Sequence, residues 1–123
     1  MLTSSQILLC IDDHLEMLRV RKVNLERLGY SVLTATSISV AIDLLQRIPV
    51  AAVLLQYRTD GMDAEAVAYL IKQRFPRQPI ILLSAYSDMP ERILWLVDEH
   101  ILKSEYPQRL DRAIQRASGA DAA

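Results

Sequence analysis

The sequence predicts an α/β domain built around a parallel β-sheet, and three observations support that fold class. Five short apolar runs occur along the 123 residues, and each suits one buried strand. A segment with helical spacing of apolar residues follows each run. The runs and segments alternate along the whole chain. Strands that alternate with helices in this way form parallel sheets with helices on both faces.

The composition excludes several classes of protein. The formal charge is −1, with 14 basic and 15 acidic residues, so no charged surface for nucleic acid or an anionic membrane is expected. A single cysteine excludes an internal disulfide and a cysteine-rich metal site. No apolar run has membrane-spanning length and no signal-peptide pattern occurs, so we expect a cytoplasmic protein. We expect residues 1–117 to form the domain and residues 118–123 a flexible tail or the start of a linker.

The first two strand–helix units carry clear helix signals. The first strand, residues 7–11, ends in Asp12 and Asp13, and either acid can cap the following helix. Gly29 suits the left-handed position at the end of that helix. The second strand is predicted at residues 31–35, with Ser37 as the cap of the second helix. Residues spaced by three and seven predict the inward stripe of the first helix: Leu15, Leu18, Leu25 and Leu28.

Three further units follow. The third strand, residues 50–55, ends at Gln56, and Asp63 caps the third helix, in which Val67, Leu70 and Ile71 face inward. The fourth strand, residues 79–83, ends at Ser84, and its helix begins at Ser87 or Asp88 with Pro90 in the first turn. The fifth strand, residues 100–102, ends at Lys103, and Pro107 opens the fifth helix.

The residues at the strand ends suggest a binding site. The carboxyl ends of parallel strands lie along one edge, where ligands bind in open α/β sheets. Two acids, an amide, a hydroxyl and an ammonium would meet there: Asp12, Asp13, Gln56, Ser84 and Lys103. Hard oxygen ligands suit magnesium, and a lysine with a hydroxyl suits phosphoryl oxygens. Each residue alone has an ordinary structural explanation, such as a helix cap, a turn residue or a surface lysine.

The order of these motifs resembles the receiver domain of bacterial two-component response regulators. The acidic pair, the loop Gly61-Met62-Asp63, the strand ending in Ser84-Ala85 and the last strand ending in Lys103 carry the resemblance. It extends from Gln6 to Ala117. The resemblance implies a five-stranded parallel flavodoxin-like sheet of order 2-1-3-4-5 with helices on both faces. It also implies a non-enzymatic role in a phosphorelay, with a histidine kinase or an effector domain as partner.

The resemblance assigns roles to the residues at the strand ends. Asp12 and Asp13 match the acidic pair that helps hold magnesium. Ser84 matches the hydroxyl that contacts the phosphoryl group, and Lys103 matches the lysine that pairs with phosphoryl oxygens. His100 falls where the family usually has a switch aromatic. Gln56 falls where the family has the aspartate that accepts phosphate.

The residue at position 56 dominates the functional interpretation. An amide is uncharged and cannot form a stable acyl phosphate, and its presence leaves Asp12 and Asp13 as a weak or vestigial magnesium site. We therefore expect a domain that acts by protein–protein contact, with Gln56 hydrogen-bonded to Ser84 and Lys103. The alternative is a working receiver that is phosphorylated at Asp60 or Asp63. A flavin-binding protein or enzyme on this fold is disfavoured because the chain has no glycine-rich phosphate loop.

A candidate interface lies in the last two units. Five consecutive apolar residues, 93–97, cannot all face the sheet from one helix, so Trp95 or Leu96 is expected to point outward. Arg109, Arg112 and Arg116 follow at helical spacing and could pair with Asp98 and Glu99 of a second copy. The resemblance implies a dimer or output surface on the fourth helix, fifth strand and fifth helix. A deeper core and a solvated arginine face are the alternatives.

Overall fold

The computed structural model describes residues 6–57, 61–106 and 108–117. Within these residues five strands form one sheet: β1 (Ile7–Ile11), β2 (Ser31–Ala35), β3 (Ala52–Gln56), β4 (Ile80–Ser84) and β5 (Glu99–Leu102). Every pairing is parallel, and the order across the sheet is β2-β1-β3-β4-β5. The predicted fold class and strand order are confirmed.

Helices cover both faces of this sheet. They are α1 (Leu15–Arg27), α2 (Ile38–Arg47), α3 (Ala64–Arg74), α4 (Glu91–Leu94) and α5 (Leu110–Ala117). Successive strand residues point to opposite faces, so Leu9 and Ile11 of β1 pack in a core with α2 and α3, whereas Leu8 and Cys10 pack with α1 and α5. No helix in the described ranges is long and apolar enough to cross a membrane.

Several predicted caps are present. Gly29 follows α1 with a φ of 101°, the left-handed conformation expected there. The Ser37 hydroxyl accepts a hydrogen bond from the Val40 amide at 3.3 Å. Asp63 Oδ1 accepts from the amides of Glu65 and Ala66 at 3.0 and 3.4 Å. The caps at Ser37 and Asp63 satisfy amides that the first helical turn cannot pair internally. At the end of α1 the amides of Gly29 and Tyr30 donate to carbonyls of the last turn, those of Glu26 and Leu25.

The predicted inward stripe of α1 is partly wrong. Leu18 and Leu25 are buried, but Leu15 and Leu28 are 50% and 53% exposed. The third buried residue of the helix is Arg21, which lies three residues after Leu18 and four before Leu25. The buried stripe of α1 therefore keeps the helical spacing of three and four residues, but its middle member is charged. Arg21 can be buried there because its partners lie at the sheet edge. His14, not an acid, occupies the helix cap position, and its side chain makes no cap hydrogen bond.

The fourth helix is much shorter than predicted. It begins after Pro90 and ends at Leu94, so Trp95 follows the helix and is not inside it. The chain must return quickly to the sheet, since the Asp98 amide donates to the Ile80 carbonyl at 2.8 Å just before β5. In α3, the predicted inward Leu70 is also 40% exposed, whereas Val67 and Ile71 are buried as expected.

Candidate functional site at the carboxyl edge of the sheet

Strand register brings the predicted site residues to one edge. Ile11 pairs with Leu55, so Asp12 follows β1 at the level of Gln56. Gln56 pairs with Leu83, and Ser84 pairs with Leu102. The strands β1, β3, β4 and β5 therefore end side by side, as the sequence predicted.

The acidic pair is held by backbone donors. Asp12 is 3% exposed, and its Oδ1 accepts a hydrogen bond from the His14 amide at 3.0 Å. Asp13 is half-buried, and its Oδ2 accepts from the Gly61 amide. A Cβ atom at Gly61 would lie 2.7 Å from that oxygen, so a larger residue would have to displace the Asp13 carboxylate. One member of the pair thus orders the start of α1, and the other orders the loop after β3.

Arg21 is a buried residue of the site that the sequence interpretation missed. Its side chain is 6% exposed, and its Nη1 lies 3.7 Å from Asp12 Oδ2. Its Nη2 donates to Gln56 Oε1 at 3.4 Å. Asp12, Arg21 and Gln56 are together called the buried cluster below. The available signal was a charged residue between Leu18 and Leu25 at inward helical spacing.

The expected partners of Gln56 are wrong. Gln56 is 5% exposed and bonds to Arg21, and among the described residues it makes no hydrogen bond to Ser84 or Lys103. An amide oxygen near a guanidinium is a favourable acceptor, because the donor is charged. The side chain at position 56 is therefore directed toward α1 and away from β5.

Ser84 and His100 form a second polar group, called the switch pair below. Ser84 is 1% exposed, and its Oγ lies 2.8 Å from His100 Nε2 and 2.6 Å from the Tyr86 carbonyl oxygen. A hydroxyl has one proton, so if it donates to the carbonyl, Nε2 must donate to the hydroxyl. Burial lowers the pKa of His100 below its usual 6.5, against opposing effects of Glu105 and the Tyr86 backbone.

Lys103 stands apart from both groups. It begins a 3-10 helical turn, Lys103–Glu105, and its side chain is exposed. Within the described ranges it makes no hydrogen bond or ion pair with a site residue. Lys103 and Arg21 line the same open cavity of about 210 Å³ between α1 and this turn. The lysine therefore reaches the α1 side of the edge without entering the buried cluster.

Tyr106 and Cys10 are two further groups of interest near Arg21. Arg21 Nη1 and the Tyr106 hydroxyl are buried and have no hydrogen-bond partner among the described residues. Burial raises the pKa of the Cys10 thiol to about 12, although the charge of Arg21 opposes this shift. Cys10 is thus a core thiol that stays protonated, as expected from its apolar neighbours.

The expected interface residues differ in their exposure to solvent. Trp95 is 85% exposed, which confirms its predicted outward position, whereas Leu96 is partly buried against the core. Arg112 is exposed on α5. Arg109 precedes α5 and pairs with Glu105 at 2.7 Å. The predicted opening of this helix at Pro107 lies outside the described residues.

The two acids that were expected to pair with arginines of a second copy have partners within the chain. Glu99 pairs within the chain with Arg116 at 3.0 Å. Asp98 pairs with Lys72 at 2.7 Å and also accepts from the Ile80 amide at 2.8 Å. These acids therefore fasten β5 to α5 and to α3 of the same chain.

The donor set at this edge fits magnesium poorly. Magnesium prefers octahedral oxygen coordination, in which one or two carboxylates act together with waters or phosphate oxygens. Here Asp12 is engaged by the His14 amide and Arg21, and Asp13 by the Gly61 amide. Within the described ranges no group of three His, Cys, Asp or Glu side chains is placed to hold a metal.

Known proteins resemble the chain in sequence and in fold. The transcriptional regulatory protein GlrR of Escherichia coli K12 is 33% identical over 86 residues, which are 70% of this chain and 19% of that protein. This chain spans less than half the length of the curated relatives that it matches. The structure of response regulator TrrA from Thermotoga maritima in complex with Mg²⁺-BeF has a TM-score of 0.79 and 26% identity over 91% of this chain and 98% of that one.

A second structure supports the fold alone. The response regulator receiver domain protein from Clostridium thermocellum has a TM-score of 0.81 at 24% identity, covering 95% of this chain and 97% of that one. The family model for the response regulator receiver domain matches residues 8–115, a range that begins at the second residue of β1 and ends within α5. The chain therefore belongs to the response regulator receiver domain family of two-component signal transduction.

Proposed function

We propose that this receiver domain signals by protein–protein contact and does not accept phosphate at the usual position. The observation that carries the proposal is Gln56 at the end of β3, bonded to Arg21 beside Asp12. Acyl phosphate formation needs an ionised carboxylate as the nucleophile, and an amide cannot supply one. The resemblance in motif order supports assigning Gln56 to the acceptor position. The role is non-enzymatic, and the site is one at which magnesium binds weakly or not at all.

A substitute acceptor is the second candidate function. Asp63 is disfavoured because its Oδ1 is already engaged by two amides at the start of α3. Phosphoryl transfer depends on the position of the nucleophile, and Asp63 lies seven residues after Gln56. Asp60, the other candidate, lies outside the described residues.

Intact-mass measurement tests the proposal. The wild-type protein and Asp63→Asn are incubated with magnesium and acetyl phosphate. We expect no phosphoryl adduct on the wild type or on Asp63→Asn, whose amide oxygen can retain the helix cap. An adduct on the wild type would overturn the proposal, and its loss in Asp63→Asn would identify the substitute acceptor.

We also propose a location for the partner surface. Leu94 in the single turn of α4 is exposed, and so is Trp95, which follows that turn. Arg112 is exposed on α5. Exposed tryptophan and arginine are common where interfaces concentrate their binding energy. We include in this surface Arg109, which is exposed, and Leu96, which is partly buried against the core. The partner is a kinase, an effector domain or a second copy, in a cytoplasmic signalling protein.

Light scattering and partner binding test this surface. Trp95→Ala is compared with Tyr69→Ala, an exposed aromatic on α3. We expect Trp95→Ala alone to weaken self-association of the domain or its binding to a cognate kinase or effector domain. Monomeric wild type at high concentration, together with unchanged partner binding by Trp95→Ala, would contradict the proposed surface.

A further inference from the structure

Arg21 is buried where a helix facing a sheet normally carries an apolar residue. Leu18, Arg21 and Leu25 are the buried residues of α1, and the arginine side chain is only 6% exposed. Arginine is almost never buried unless it is paired, because removing its charge from water is unfavourable. The polar groups that Arg21 contacts must therefore account for its burial.

One of those groups, Asp12, belongs to the acidic pair expected to hold a metal ion, and the other, Gln56, stands at the expected acceptor position. Arg21 Nη1 lies 3.7 Å from Asp12 Oδ2, and Nη2 donates to Gln56 Oε1 at 3.4 Å. Asp12 is 5% exposed at its side chain, so little solvent screens the ion pair. The guanidinium thus contacts both the acid after β1 and the residue that ends β3.

We propose that the Arg21 guanidinium is the resident cation of this edge and that it closes the site to divalent metal ions. The buried cluster contains one carboxylate, one guanidinium and one neutral amide, so its charges are balanced without a metal. Asp13 is the remaining acid, and the Gly61 amide already donates to its Oδ2. A divalent ion at these acids would be repelled by the nearby guanidinium.

The inference rests on the proposed function, because it explains why the site operates without the phosphorylation cycle, but it makes a separate claim. It predicts that Gln56→Asp alone places a second carboxylate beside Arg21 and that this carboxylate forms an ion pair with the guanidinium. Restoring a metal-dependent acceptor then requires changes at both positions 21 and 56.

Manganese binding tests the claim with the metal alone as probe. The loss of the free Mn²⁺ signal in electron paramagnetic resonance is followed for wild type, Arg21→Gln, Arg21→Lys and Arg19→Gln. Arg19 is an exposed arginine on the same helix, paired with Glu16. We expect Arg21→Gln to bind Mn²⁺ at least about tenfold more tightly than the other three proteins, because only this variant lacks the buried charge.

Two results would overturn the inference. One is submillimolar Mn²⁺ binding by the wild type, and the other is equal affinity of folded Arg21→Gln and wild type. If Arg21→Gln fails to fold, the wild type decides by itself. Its Asp13 and Gly61 amide resonances should not shift when millimolar Mg²⁺ is added, and a saturable shift would overturn the inference.

Failure of this inference can be distinguished from failure of the proposed function. Metal binding by the wild type without any phosphoryl adduct would reject Arg21 as the resident cation and leave the absence of an acceptor intact. A phosphoryl adduct on the wild type would reject the proposed function, whatever the Mn²⁺ affinity.

Discussion

The polar groups after β1 and β3 are arranged differently from those after β4 and β5. Asp12, Arg21 and Gln56 are at most 6% exposed and are joined by an ion pair and a charged hydrogen bond. After β4 and β5, the buried Ser84 bonds to a half-buried His100, and Lys103 is exposed. One half of the edge therefore holds fixed charges away from water, whereas the other holds a neutral pair that extends to the surface.

The difference indicates which half can change state. An ion pair with little access to water is costly to separate, so the buried cluster favours one arrangement. In the switch pair, the Ser84 hydroxyl can change its hydrogen bonds with the Tyr86 carbonyl and the His100 imidazole at a much smaller cost in free energy. A change of hydrogen-bond partners therefore costs less free energy at Ser84 and His100 than at the buried cluster.

The largest expected effect comes from breaking the buried cluster. Arg21→Met leaves Asp12 buried without its counter-charge, so we expect the free energy of unfolding to fall by about 3–5 kcal/mol. Arg19→Met, which removes an exposed pair on the same helix, should change it by less than about 0.5 kcal/mol. Urea unfolding measures both. Equal stability of the two variants would show that the Arg21 ion pair contributes no more than a surface contact.

An intermediate effect is expected at the contact between Asp13 and the loop after β3. In Gly61→Ala the added methyl group would displace the Asp13 carboxylate, and loss of its hydrogen bond should cost roughly 1–3 kcal/mol. The same substitution should cost much less in an Asp13→Ala background. A double-mutant cycle measured by urea unfolding checks this. Equal costs in both backgrounds would mean that the Asp13 contact is not the cause.

The smallest effect is expected at the switch pair and depends on pH. The lowered pKa of His100 means that the unfolded chain binds a proton more readily than the folded one. Its contribution to stability is therefore complete above pH 6.5 and is lost as the pH falls through the folded-state pKa. Ser84→Ala, which removes the hydroxyl that meets His100 Nε2, should lower stability by about 1 kcal/mol above pH 6.5.

Nuclear magnetic resonance titration of the imidazole checks this prediction. His100 and the exposed His14 are the two histidines of the chain, so both can be followed in one spectrum. His100→Gln should remove the corresponding part of the pH dependence of unfolding. A His100 pKa at or above 6.5 would contradict the proposed cause, burial of the imidazole.

Much of the fold was predictable because the apolar runs of β1, β3 and β4 are long enough to be strands yet too short to be helices. The caps Ser37 and Asp63 were predictable because their hydrogen bonds involve residues two or three positions away. The short α4 was not, since its end depends on where the chain rejoins the sheet beside Ile80. Local spacing does not contain that information.

The site residues show the same division. Asp12, Ser84 and Lys103 were found because parallel strands must end on one side of a sheet. Arg21 was missed because the predicted stripe was drawn from leucines alone, and arginine is ordinarily exposed. The intrachain partners of Glu99 and Asp98, which are Arg116 and Lys72, were not foreseen because they are distant in sequence.

The sequence by itself determined the alternation of strands and helices, the chemistry of the residues at the strand ends and the amide at position 56. These follow from local periodicity and from the geometry common to all parallel sheets. Only the tertiary structure decided that Gln56 bonds to Arg21, and that His100 is the partner of Ser84. Those contacts depend on the directions of side chains from separate elements. The charge of Arg21 on α1, for example, is paired by residues that are close in space but lie on other elements.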